Sequence, residues 1–252
     1  MKKPICVFTI AGDQKNLEYA SMLEKTFHHF HPDIPFIVVG PKELEKNTDP
    51  QKFYRATPYY ALNLLKDFDL VIKMDADQLI LGNLDYVFKQ PYDVGCVLNI
   101  NRVDPQRYGL VQGWGIQPNE YMNCGFVAMR STPFVEHWLR LCMSPRFDQL
   151  QYKEQDLLNI LYYYGNYKTL CFDHYNALQN YSAYHGLVAK GEGVHAVLRD
   201  GKVIIPRGQD NYPDKDVELK AYHWAGGKDE RKMDYQKHFS EEIIEYIDGL
   251  LK

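Results

Sequence analysis

"LLKDFDLVIKMDADQLILGNLDYVF" (Leu64–Phe88) is the stretch whose reading decides the fold. Leu70–Met74 is a short apolar run rich in β-formers, and it leads straight into Asp75 and Asp77. Such a run reads as a buried strand. Each unpaired buried carboxylate costs several kcal/mol, so the acids must meet a partner where the strand ends. In an α/β sheet, ligands bind beyond the carboxyl ends of the strands. Residues i and i+2 of an extended chain point the same way, so both acids can reach one divalent cation. An Asp-x-Asp pair also occurs in plain turns. The buried strand before it and "QLILGNLDYVF" after it favour the metal reading here.

Working outward, "PICVFTIAG" and "IPFIVVG" read as two further buried strands. Between them Leu17, Ala20, Leu23 and Phe27 have helical spacing. The chain thus opens β-α-β, with a first turn of Ala11, Gly12 and Asp13, as parallel sheets do. "YRATPYYALNLLKDF" predicts a helix with Thr57 as cap and Pro58 in its first turn. "LDYVF" starts a short helix, "YDVGCVLNI" and "MNCGFVAMRS" are strands, and "TPFVEHWLRLCM" and "KEQDLLNILYYYG" are helices. Tyr162–Tyr164 are expected to pack, because Leu157, Leu158 and Leu161 beside them read as core. "GVHAVLRDGKVIIPRG" is a hairpin turning at Asp200-Gly201. The tail "SEEIIEYIDGLLK" is an amphipathic helix capped by Ser240; its acidic polar face disfavours an anionic lipid surface. The fold class expected is α/β, with a mainly parallel central sheet flanked by helices. One domain is expected over 1–252, divided into 1–100, 101–235 and a C-terminal helix (236–252).

The 252 residues are 45% hydrophobic, enough for a sizeable core. A net charge of −4 without a basic block argues against nucleic-acid binding. Twenty tyrosines suit surfaces for sugars and nucleotides, though also cores. Five cysteines without C-x-x-C spacing argue against a zinc site or a disulfide framework and read as buried thiols in a reducing compartment. No apolar run approaches a membrane span and no signal segment is visible, so a soluble, cytoplasmic protein is expected.

"KMDADQLILGNLDYVF" resembles the metal-binding segment of the glycogenin-like retaining glycosyltransferases (glycosyltransferase family 8), which include bacterial lipopolysaccharide galactosyltransferases. The likeness runs from the first strand to about Lys232. It implies the nucleotide-diphospho-sugar transferase fold of type A, a Mn2+ or Mg2+ ion, and a UDP-sugar donor. Asp75 and Asp77 match the family's metal-binding acids, with Asp75 also placed to meet the ribose and Ala76 between them counted with the donor site. Thr9, Ala11 and Gly12 match the turn that holds uracil and ribose, and Asp13 has the chemistry to accept from either. Arg55, with Tyr59 nearby, matches a basic residue that pairs with the diphosphate. "YMNCGFVAMR" matches the strand beside the sugar: Asn123 would bond its hydroxyls, while Cys124 and Gly125 leave room for it. Cys124 as a nucleophile is disfavoured, because no His or Asn partner motif surrounds it.

"KEQDLLNIL" matches the family's acid-Gln-acid stretch, which places Gln155 near the anomeric carbon and Glu154 or Asp156 on sugar hydroxyls or acceptor. Acids at a helix start are also plain capping. His223 in "HWAGGKDERK" matches the third metal ligand, followed by Gly226. The family's diphosphate-binding Lys falls on Asp229, which leaves Lys228 as the nearest substitute. The Gly/Pro-rich segment from Arg102 to Tyr121 reads as a lid or acceptor wall, with Trp114 as a sugar-stacking face or a loop anchor. The reading is a metal-dependent hexosyltransferase using a glycan, lipid-linked or protein acceptor. The alternatives are a nucleotidyltransferase, whose Gly-rich basic loop "IAGDQKN" lacks, and a non-catalytic nucleotide or carbohydrate binder.

Overall fold

The computed structural model describes residues 3–46, 52–98, 113–117, 120–172, 178–179, 196–207, 215–223, 235–237 and 239–252. The first seven strands are β1 (Lys3–Ile10), β2 (Phe36–Val39), β3 (Phe68–Met74), β4 (Gln78–Ile80), β5 (Val94–Leu98), β6 (Met122–Met129) and β7 (Thr169–Cys171). All but β4 form a six-stranded sheet in the order β2-β1-β3-β6-β5-β7. Pairing is parallel except along β6, which runs against both β3 and β5. The expected mainly parallel sheet is therefore present, with one reversed strand at its centre.

Helices cover both faces. In chain order they are α1 (Gln14–Phe30), α2 (Pro41–Glu45), α3 (Lys52–Leu64), α4 (Asp85–Lys89), α5 (Thr132–Cys142) and α6 (Glu154–Tyr164); apolar residues of α1, α3, α4, α5 and α6 divide between two cores. Ala61, Leu65, Phe134, Trp138, Leu157 and Leu161 fill one face from α3, α5 and α6. Leu23 and Phe27 of α1 with Leu84 and Val87 around α4 fill the other. The spacing Leu23–Phe27 is the i, i+4 stripe that buries one side of a helix.

A smaller lobe braces the site. β8 (Leu178–Gln179), β4 and β12 (Ala221–His223) form one three-stranded sheet, and β9 (Val197–Arg199), β10 (Lys202–Ile205) and β11 (Val217–Glu218) form another. The β9–β10 hairpin turns at Asp200 (φ 51°) and Gly201 (φ 70°), the left-handed pair that a two-residue turn requires. The last helix, α7 (Glu241–Leu250), buries Ile243, Ile247 and Leu250 against Leu79, Val203, Ile205 and Tyr222. It therefore packs as core, as its apolar stripe predicts.

Three local expectations fail. α3 begins at Lys52, so Pro58 lies inside the helix and Thr57 is a buried helical residue, not its cap. Packing of α3 between β3 and α5 holds the helix through a residue that removes one backbone bond. Ser240 occupies the N-cap position of α7, but its hydroxyl makes no capping bond. Of the three tyrosines ending α6 only Tyr162 is buried; Tyr163 and Tyr164 face outward, because successive helical residues turn about 100° apart.

Candidate active site

Asp75 leaves β3 at the carboxyl edge of the sheet, where its N–H donates to the Gly125 carbonyl at 2.7 Å. The chain then makes a tight turn at Ala76–Asp77 and enters β4. β4 pairs antiparallel with β12, in a register that sets His223 opposite Gln78. Gln78 Nε2 also donates to Gly125 O, at 2.7 Å. Two strands far apart in sequence thereby deliver one imidazole to two carboxylates.

Ligand atoms of Asp75, Asp77 and His223 all lie within 4.8 Å of one another. His223 Nε2 stands 3.2 Å from Asp77 Oδ1 and 3.6 Å from Asp75 Oδ2. Both ring nitrogens are fully buried, and neither meets hydrogen-bond geometry with a partner among the described residues. A buried imidazole left in that state against two carboxylates fits a divalent metal, and its donor set of one nitrogen and two carboxylates suits Mn2+. Burial alone would lower the His223 pKa, but Asp77 and then Asp75 outweigh it and lift the pKa above the usual histidine value. Burial likewise pushes Asp75 up, and Lys73 and His223 outweigh it and hold the carboxyl below its ordinary range.

Gly125 stands directly beside the imidazole. A Cβ there would stand 2.3 Å from His223 Cε1 and 2.6 Å from Asn123 Oδ1. The missing side chain makes room for the imidazole. Asn123 is buried on β6, and its Oδ1 accepts from Gly125 N–H at 2.6 Å.

Sequence reasoning passed over Lys73. It lies two residues before Asp75, on the same side of β3, and is 5% exposed. Its ammonium pairs with Asp75 Oδ1 and donates to the Cys124 carbonyl at 2.9 Å. The readable signal was a lysine amid five apolar strand residues, since a buried ammonium requires a counter-ion.

The start of α6 comes to the same place. Gln155 Oε1 accepts from Cys124 N–H at 2.9 Å. Asn159 clamps Met122, accepting from its N–H at 2.6 Å and donating to its carbonyl at 2.9 Å. These bonds fix α6 against β6. Glu154 Oε2 is buried without a partner among the described residues, and burial pushes its pKa up to about 8 against the pull of Lys73. Asp156 is only 1% exposed, and both oxygens are engaged: Oδ1 accepts from Tyr121 Oη–H at 2.7 Å and Oδ2 from Tyr152 N–H at 2.9 Å. Burial raises its pKa as well. Cys124 is a buried thiol whose pKa burial drives well up, which leaves no thiolate for attack.

The remaining predicted residues fall into four groups. Phe8 pairs opposite Lys73, so the turn after β1 lies level with the acid pair, and Ala11 packs in one cluster with Ala76. Thr9 is buried, its hydroxyl without a partner among the described residues, Gly12 is half-buried, and Asp13 caps α1 by accepting from Asn16 N–H at 2.8 Å. Arg55 lies near the start of α3, where its Nε donates to Cys142 O at 2.8 Å and its guanidinium lies 5.1 Å from the Phe147 ring centre. That is a helix-end role for α5, while Tyr59 is exposed and edges against Tyr60. Trp114 lies 5.5 Å from the Tyr164 ring, and its carbonyl accepts from the Tyr164 hydroxyl, which fits a loop anchor. Gly226, Lys228 and most of the Arg102–Tyr121 segment lie outside the described residues.

No protein-family model matches the chain, and no curated protein matches it by sequence. Solved structures do match in shape. One is a galactosyltransferase, LgtC, in complex with donor and acceptor sugar analogs: 17% identity, 98% of this chain and 96% of that one, TM-score 0.56. Another is a glycosyltransferase involved in glycosylating the major capsid of PBCV-1, at 10% identity, 98% of each chain and TM-score 0.53. A second LgtC structure, at 15% identity, 96% of this chain and 95% of that one, and TM-score 0.55, is of an active-site mutant with glutamate in place of glutamine. The fold is thus the type A glycosyltransferase fold, α/β with its reversed strand beside the acid pair. Within that fold, Asp75, Asp77 and His223 form a group able to hold a divalent metal.

Proposed function

We propose that the chain is a metal-dependent, retaining hexosyltransferase that moves a sugar from a UDP-sugar to a hydroxyl of a glycan, lipid-linked or protein acceptor in the cytoplasm. The observation that carries the reading is the convergence of Asp75, Asp77 and His223 at the carboxyl edge of β3 in a type A fold. In this reading residues 1–100 serve the nucleotide, through Thr9, Ala11, Gly12 and Ala76, and residues 101–235 serve sugar and acceptor. Asp75, Asp77 and His223 would hold Mn2+ or Mg2+, and Gly226 and Lys228 would contact the diphosphate. The bound cation would neutralise charge that grows on the departing diphosphate.

The protein groups do the rest. Gln155 is positioned by Cys124 N–H, and an amide is a poor nucleophile. We therefore assign it to stabilising positive charge on the anomeric carbon. The acceptor oxygen bonds to that carbon on the face the diphosphate leaves, and the acceptor proton passes to the departing phosphate oxygen. Glu154, neutral up to about pH 8, can donate a hydrogen bond to a sugar hydroxyl.

The test is UDP release from a panel of UDP-sugars with Mn2+, with the anomeric configuration of the product read by NMR. Asp77→Ala should lower turnover by about a thousandfold or more, as expected when several kcal/mol of charge stabilisation are lost. A protein that binds UDP without turnover would be a binder, and full turnover in the Asp77→Ala variant would remove the metal assignment.

A further inference from the structure

We propose that Lys73 is a built-in counter-cation, a positioning residue that weakens the Asp75–Asp77–His223 corner for a lone divalent ion so that the ion is held together with the diphosphate. The inference rests on the metal reading above and adds a residue to it. Lys73 is buried in β3, with its ammonium shared between Asp75 Oδ1 and the Cys124 carbonyl. Asp75 is thereby divided: Oδ1 faces Lys73 and Oδ2 faces His223 at 3.6 Å. The other titratable groups within electrostatic reach of Lys73 are Cys124 on β6, Glu154 at the start of α6 and His223 on β12.

Two consequences follow from Coulomb's law. The ammonium repels a dication bound at Asp75 Oδ2, and it attracts the net negative charge of a cation–diphosphate pair. The site is therefore poor for free metal and better for metal carrying a nucleotide. A purely structural lysine makes the opposite forecast. Its removal would leave Asp75 Oδ1 and the Cys124 carbonyl without a donor, loosen Asp75 and weaken metal binding.

The experiment is calorimetric titration of metal-free protein with Mn2+ alone, on wild type, Lys73→Met, Lys73→Gln, Lys73→Arg and Asp77→Asn, with melting temperatures taken alongside. Both neutral variants should bind Mn2+ more tightly, on the order of tenfold. Lys73→Arg should stay near wild type. Unchanged or weaker Mn2+ binding in either neutral variant that keeps the wild-type melting temperature overturns the proposal; Lys73→Gln, which retains a donor, serves if Lys73→Met does not fold. Asp77→Asn separates the two levels. If it leaves Mn2+ affinity untouched, the corner is not the metal site and both readings fall. If it loses affinity while the neutral variants match wild type, the Lys73 proposal alone falls.

Discussion

Two acid-x-acid triplets meet near one edge of the sheet, and they behave differently. Asp75-Ala76-Asp77 follows a strand, and Glu154-Gln155-Asp156 opens a helix. In the first the carboxylates converge on His223. In the second they diverge, because residues two apart on a helix do not face each other. Glu154 lies within electrostatic reach of Lys73 and keeps a buried oxygen without a partner among the described residues, whereas Asp156 turns toward Tyr121 and Tyr152 and is satisfied by them. The same spacing thus gives a shared cation site in one backbone setting and two unrelated duties in the other. What decides is the direction the backbone lends to each Cβ.

The strongest way to break the convergent triplet leaves all three of its ligands in place. Gly125→Ala would put a methyl 2.3 Å from His223 Cε1, so the ring must shift from the position it holds beside the acids. The expected outcome is a loss of Mn2+ affinity of roughly a hundredfold, at the upper end of what supporting residues around a metal contribute. Titration with Mn2+ checks it. Unaltered affinity would mean that the imidazole takes no part in binding.

The divergent triplet is sharpened through pH. Glu154 has a folded pKa of about 8 against a reference of 4.5. Between those values the folded state holds a proton that the unfolded state has lost, so stability falls as pH rises, by about 1.4 kcal/mol per unit at most. The penalty is absent below about pH 4.5 and complete above about pH 8. Asp156, also raised by burial, acts in the same direction, so the useful readout is the difference between wild type and Glu154→Gln. The glutamine variant should gain in melting temperature relative to wild type from pH 5 to pH 8. A difference that stays flat would place Glu154 in water.

The sequence made the two triplets legible to different depths. The β-α-β opening, the acid pair and the stripe of α7 follow from short-range periodicity and from the cost of burying charge. The resemblance supplied His223, which no local pattern links to Asp77; the link is the β4–β12 register. Arg55 and Asp13 illustrate what stayed hidden. Arg55 bonds the end of α5 and Asp13 the start of α1, contacts that no local pattern announced. Helix ends draw on the same polar side chains as ligands do, and which end a side chain meets depends on the packed arrangement.

Asp156 offers the finest contrast, because its two oxygens serve two donors. Asp156→Ala removes the carboxylate that accepts from the Tyr121 hydroxyl and the Tyr152 N–H, at about 1–3 kcal/mol in all. Asp156→Asn keeps one carbonyl oxygen but turns an amide donor toward the other partner. It should therefore lose about half as much. Denaturant melts of the two variants measure the difference. If Asp156 is a catalytic twin of Glu154, both variants should keep wild-type stability and lose turnover equally. If it is the brace that its hydrogen bonds describe, stability should fall in the order wild type, Asp156→Asn, Asp156→Ala, with Mn2+ affinity at the convergent triplet preserved.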